Sequence, residues 1–148
     1  MVTMAKYDSL KLANQLCFPL YAASKEVIKQ YAPLLEEFDL TYTQYLSMLV
    51  LWEHDGISVK EMGEKLLLDS GTLTPVLKSL EKKGYVERHR CRSDERIMII
   101  SLTETGFRLR DDALTIPERM GRCIRLEPAE SAELYRLLYK LLSGLDIE

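Results

Sequence analysis

The chain has 148 residues, 47% of them hydrophobic and 29% charged, with three cysteines, two histidines and a net charge of −3. That length suits one domain with a fair core rather than two, and the balance is that of an ordinary globular protein. No apolar run reaches the roughly 18 residues of a membrane span, and the start MVTMAKYDSLK lacks the order of a secretory signal, so a cytoplasmic protein with no membrane partner is expected.

Charge is unevenly placed. Residues 1–77 carry 6 basic and 10 acidic side chains, residues 78–96 carry 7 and 4, and residues 97–148 carry 7 and 9. One short basic segment on an acidic chain is the electrostatic footprint of a nucleic-acid site, or else a solvated lysine–arginine surface. Cys17, Cys91 and Cys123 are far apart and form no C-x-x-C pair. With only His54 and His89 to join them, structural zinc is poorly supported, and free thiols are expected.

In chain order, FPLYAASKEVIKQY (18–31) reads as a helix. Pro19 is tolerated in its first turn, and Pro33 is expected to stop or break the pattern. YDSLKLANQL upstream is also compatible with helix, so a longer kinked helix is an alternative. Either way, Pro19 leaves backbone donors near Cys17 without their usual partners. LTYTQY (40–45) starts a second helix, with Thr41 and Gln44 as capping box and Leu40 and Tyr45 as hydrophobic staple. It runs to about His54 and stops at Gly56. The same grammar repeats in ISVKEM (57–62), where Ser58 caps and Glu61 closes the box on a short helix to about Leu67. DSGT (69–72) restarts the chain into a helix to Lys83, ended by Gly84. Two short helices across a tight polar turn form a helix-turn-helix.

On the second of these helices Leu73, Val76, Leu77 and Leu80 share one face. Ser70 lies at its start, and the other face carries Gly71, Thr72, Thr74, Pro75, Lys78, Ser79 and Lys82. Small polar and basic side chains there suit base edges and phosphates, although any solvated amphipathic helix looks similar. The next segment of chain tips the balance toward DNA. Tyr85–Arg88 and Arg96–Leu102 read as strands around the charged tip HRCRSDE, a hairpin whose Arg88, Arg90, Arg92 and Arg96 suit a narrow minor groove or the phosphates beside it. Helix-turn-helix plus basic hairpin is a winged helix.

Thr103 then caps a helix through the 110s that Pro117 and Gly121 disturb. LEPAESAELYRLLYKLLSGL (126–145) is the last helix, with Leu134, Leu137, Leu138, Leu141, Leu142 and Leu145 in one stripe. A winged helix needs fewer residues than this chain has, and the surplus is helical at both ends. Pairing with a second copy is expected, as suits a palindromic DNA site. The expected fold is mainly α with a small β hairpin.

With these pieces assembled, the chain resembles the MarR family of winged-helix transcriptional regulators over nearly its whole length. The core LTYTQYLSMLVLWEHDGISVKEMGEKLLLDSGTLTPVLKSLEKKGYVER, the RSDER wing and the closing ISLTETG carry the likeness. Within that family, NQLCFPLYAASKEV, LTYTQYLSMLVLWE and LLLDSGTLTPVLKSLE are similar to the organic-hydroperoxide-sensing OhrR branch. The resemblance implies one domain, with 1–32 and 104–148 as dimerisation helices and 40–103 as the DNA-binding core. It implies that Cys17 is the reactive cysteine, that Tyr31 and Tyr42 are its tyrosine partners from the other subunit, and that Asp94 and Arg96 form the acid–arginine pair of the wing. It further implies a non-enzymatic homodimeric repressor without cofactor, which leaves double-stranded DNA when an organic hydroperoxide oxidises Cys17. Some members of the branch resolve the oxidised cysteine with a second one in the later helices. Cys123 lies in about that region, and the alternative is a low-molecular-weight thiol. Cys91 is expected to be exposed and a bystander. Phe18, Leu20 and Tyr21 with Leu46 and Leu49 are candidates to line a pocket for an alkyl or aryl tail. The rival readings are a regulator of the same fold released by a phenolic or drug-like ligand, a small thiol peroxidase, and a helical interaction protein that binds no DNA.

Overall fold

A computed structural model describes residues 6–147. The first residues of the expected dimerisation segment 1–32 and the final residue of 104–148 lie outside the described residues. The chain separates into two compact units, residues 1–42 and 43–148.

In the first unit, short 3-10 turns at Asp8–Leu10 and Leu12–Asn14 replace the longer kinked helix that the sequence also allowed. Helix α1 follows, Cys17–Glu36, and runs through Pro33 instead of stopping there. A proline inside a helix costs about 3 kcal/mol through its missing N–H and its clash with the preceding turn. The two residues beyond it, Leu34 and Leu35, are buried, and each buried leucine returns about 1.5–3 kcal/mol. The helix therefore survives the proline and closes shortly beyond those leucines. There Asp39 takes a left-handed conformation (φ 53°) and the Leu40 N–H donates to the Leu35 carbonyl at 3.1 Å.

Helix α2, Tyr42–Glu53, begins and ends where the capping pattern predicts, with Gly56 left-handed (φ 71°) beyond it. In the second unit, Ser58 and Glu61 form the expected capping box on α3, Val59–Leu66. The Asp69 carboxylate accepts from the Thr72 N–H at 2.7 Å and caps α4, Ser70–Lys82. The wing strands differ from expectation around the tip: β2 is Val86–Arg90 and β3 is Met98–Leu102, in register Val86↔Leu102 through Arg90↔Met98. Arg96 therefore lies in the turn, where its side chain and backbone both bond to Asp94, and not in a strand. A strand that the sequence did not suggest, β1 at Ile57–Ser58, pairs with β3 and completes a three-stranded antiparallel sheet in the order β1-β3-β2.

Thr103 caps α5, Glu104–Ala113, accepting from the Gly106 N–H at 3.0 Å. The expected single helix through the 110s is two helices. The break falls at Leu114, and α6 spans Thr115–Cys123. Pro117 marks a beginning rather than a disturbance, because it sits in the first turn of α6 where no N–H is required. Helix α7, Pro128–Ser143, starts on a Glu127–Glu130 capping box.

The core of this unit is continuous across the winged helix. Met48, Leu51, Met62, Leu73, Leu77, Leu80, Val86 and Ile100 are each no more than 1% exposed. At the wing root, the Trp52 indole N–H donates to the Gly106 carbonyl at 2.9 Å, and a Cβ at Gly106 would collide with the Tyr85 carbonyl. That residue has to be glycine for α5 to lie against the start of β2.

Candidate functional site

Three apolar side chains of α4 point inward, so its other face is set outward by helical periodicity alone. Ser70, Thr72, Pro75, Lys78 and Lys82 are exposed, and Thr74 is half-buried with its hydroxyl donated to the Ser70 carbonyl at 2.7 Å. Beside this face lies an open cleft of about 1120 Å³ whose walls include Lys60, Ser70, Lys78, Arg88, Arg90 and Arg96. The walls also carry Glu64 and Asp69, so cations outnumber acids five to two, a balance that suits a polyanion.

The wing tip is held by local bonds. Arg96 donates from its backbone N–H (3.1 Å) and Nε (3.0 Å) to Asp94 Oδ1, and from Nη2 to Oδ2 at 3.2 Å. That fork keeps the Asp94 carboxyl below its ordinary 3.8, mainly through the arginine side chain. The pair turns the tip while leaving the Arg96 side chain 90% exposed. Arg92 is exposed at the tip. Arg88 is committed elsewhere: its Nε donates to Glu81 Oε2 at 2.8 Å and ties the wing to α4. Ser79 is half-buried and accepts a hydrogen bond from Gln44 Nε2 at 2.9 Å, so its hydroxyl serves the interior.

Cys91 departs from expectation. It is half-buried rather than exposed. Its Sγ lies 3.1 Å from Ser93 Oγ, and that contact, with backbone N–H groups of Ser93 and Asp94, holds the thiol below its ordinary 9.0. A tight turn that aims a hydroxyl back at the sulfur is the cause, and the pattern C-x-S was its only trace in the sequence.

Cys17 is the first residue of α1. Leu16 before it has helical dihedrals (φ −63°, ψ −36°) and gives no side-chain cap, and the cysteine itself is exposed. The thiol thus stands at the positive end of a 20-residue helix whose first N–H groups receive no side-chain cap from Leu16. Phe18, Leu20 and Tyr21 beside it are 44%, 40% and 63% exposed.

Tyr31 and Tyr42 are brought together. Their rings are 4.8 Å apart at centroids and tilted by 45°. Burial raises the pKa of both phenols above 10.0, and the neighbouring Tyr42 adds to the effect on Tyr31. Both therefore keep their O–H protons far above neutral pH. Cys17 and Tyr31 lie fourteen residues apart on the same helix, about 21 Å at 1.5 Å per residue. Cys123 is exposed at the end of α6.

The fold agrees with that of related proteins. The transcriptional regulator SarA/Rot family matches residues 29–113. The organic hydroperoxide resistance transcriptional regulator of Bacillus subtilis (strain 168) is 49% identical over 140 residues, 95% of each chain. The HTH-type transcriptional regulator SarZ of Staphylococcus haemolyticus is 42% identical over 90% of each. Among solved structures, reduced AbfR bound to DNA matches with a TM-score of 0.80 at 37% identity, over 94% of this chain and 95% of that one. AbfR, from Staphylococcus epidermidis, matches in its disulfide form with a TM-score of 0.63 at 36% identity, over 96% and 94%. The chain belongs to the MarR family of winged-helix transcriptional regulators, in the branch that holds the Bacillus organic hydroperoxide resistance regulator.

Proposed function

We propose that the protein is a homodimeric, cytoplasmic repressor that binds a pseudo-palindromic operator when Cys17 is reduced and leaves it when an organic hydroperoxide oxidises that thiol. Helix α4 enters the major groove of each half-site through Ser70, Thr72, Thr74, Pro75, Lys78 and Lys82. The wing tracks the adjacent minor groove through Arg90, Arg92 and the Asp94–Arg96 turn. Half-sites then lie about one helical turn apart, 10–10.5 base pairs centre to centre.

One observation carries the redox part. Cys17 stands exposed at a helix start that Leu16 does not cap, and the paired phenols of Tyr31 and Tyr42 lie about 21 Å further along the same chain. A second copy is needed to bring a phenol pair to the thiol. The largely exposed apolar face of α7, with Leu134, Leu137 and Leu141 at 46%, 46% and 41%, supports such a pairing.

In that pairing the helix end and the phenol O–H groups of the partner subunit face the Cys17 sulfur, and the thiolate is the form that reacts. The thiolate attacks the terminal peroxide oxygen, the O–O bond breaks, and the alkoxide leaves and takes up a proton as an alcohol. Sulfur is oxidised by two electrons to the sulfenic acid, and the peroxide is reduced. Condensation of the sulfenic acid with the Cys123 thiol or with a small cellular thiol then releases water. Apolar neighbours of Cys17 favour an organic tail, each buried CH₂ contributing about 0.8 kcal/mol. Loss of the thiolate removes the charge that the phenols served.

The test is the affinity of the reduced protein for its own upstream DNA, with and without cumene hydroperoxide, alongside mass spectrometry of Cys17 and Cys123. Wild-type affinity should fall by about 5–150-fold on oxidation, and the Cys17→Ser protein should bind and stay bound. Release of Cys17→Ser by the hydroperoxide would hand the protein to the ligand-released reading, and turnover of peroxide with a thiol reductant to the peroxidase reading.

A further inference from the structure

Gln44 is almost fully buried, at 4% exposure. Its Nε2 donates to Ser79 Oγ at 2.9 Å, and its Oε1 accepts from Lys83 Nζ at 2.9 Å. Ser79 lies within α4 and Lys83 caps its C-terminal end, one helical turn apart. A single carboxamide in α2 thus holds α4 at two points, as donor at one and acceptor at the other. The polarity fixes its orientation, since a flipped amide would turn its NH₂ toward the lysine ammonium. At this burial, water cannot readily replace a bond lost when α4 rolls or slides.

Two residues earlier on the same helix is Tyr42, whose ring meets Tyr31. Positions i and i+2 of a helix face different ways. The first turn of α2 therefore shows a phenol to one side and a carboxamide to the other. We infer that Gln44 is a positioning residue that couples the start of α2 to the orientation of the recognition helix, so that a shift at Tyr42 reaches α4 through Ser79 and Lys83. The inference rests on the proposed role of Tyr42 beside the oxidisable thiol.

The experiment uses full-length protein and compares wild type, Gln44→Met, Ser79→Ala and the double variant. Methionine keeps the length and apolar packing of glutamine and removes both hydrogen bonds. Reduced Gln44→Met should bind DNA within about threefold of wild type and form the same amount of oxidised Cys17. Its loss of affinity on treatment with cumene hydroperoxide should shrink by roughly 3–10-fold relative to wild type. Ser79→Ala should shrink it in the same direction, and the double variant should add little to either single one. A full peroxide response in Gln44→Met and Ser79→Ala overturns the inference. So does a loss of reduced affinity that merely tracks the thermal unfolding midpoint. Ser79→Ala, milder in the interior, decides the matter where Gln44→Met does not fold. Should wild type bind DNA yet ignore the hydroperoxide, the redox reading fails by itself. Coupling is then scored with Tyr42→Phe on the reduced protein: an effect on DNA affinity that vanishes in the Gln44→Met background supports it, and one that persists there refutes it.

Discussion

The winged core and the last helix use the same kind of residue to opposite ends. Leu73, Leu77 and Leu80 of α4 are at most 1% exposed, whereas α7 buries none of its side chains and shows Leu134, Leu137 and Leu141 to the surroundings. Both helices are amphipathic and both are capped. The difference is that α4 finds its partners within residues 43–148, whereas the leucine face of α7 stays exposed. Apolar patterning tells that a face will be covered, and only the fold tells whether the chain itself covers it.

The contrast can be broken by substitution. Leu77→Ala should cost about 2–5 kcal/mol of stability at every protein concentration, read as a lower midpoint in chemical denaturation. Leu141→Glu should leave the winged core folded but weaken self-association by roughly tenfold or more, seen as monomer in sedimentation. Its unfolding midpoint should also stop depending on concentration. If Leu141→Glu instead unfolds the whole chain, or leaves assembly untouched, the distinction between the two helices is wrong.

A smaller effect sharpens the description of the core. Hydrogen bonding from Arg88 holds the Glu81 carboxyl below its ordinary 4.5. A carboxyl with a depressed folded-state pKa contributes stability above its unfolded value and loses it as pH falls through the folded one. Stability should therefore carry a small acid-side loss below about pH 4.5 that is absent in Glu81→Gln, because Arg88 stays charged throughout. An identical acid profile for the two proteins would show that the half-buried pair contributes nothing to stability.

Local chemistry made much of this readable in advance. Ser58 with Glu61, Asp69, Thr103, Gly56 and Gly84 each satisfy or end a helix with groups two to four residues away, so their roles are written in short sequence. What was hidden depends on distant partners. The two-residue β1 exists because β3 offers it an edge, and α1 outlasts Pro33 because Leu34 and Leu35 are buried. The break at Leu114 leaves one trace in the sequence, Pro117, which suits a helix start as readily as a disturbance. At the candidate site, the outward face of α4 was legible from periodicity, and the resemblance named Tyr31 and Tyr42 without setting their rings against each other. The engagement of Ser79 by Gln44 spans 35 positions, and the drop in the Cys91 thiol is set by a turn; neither could be derived from spacing.

Gly106 shows where control can be lost at a distance. It touches neither the thiol nor the DNA-facing side chains, yet the start of β2 lies so close that even a methyl group has no room. A genetic screen for strains that have lost repression should therefore return alleles at codon 106. Their products would carry an intact sulfur and intact arginines on a wing prised from its seat.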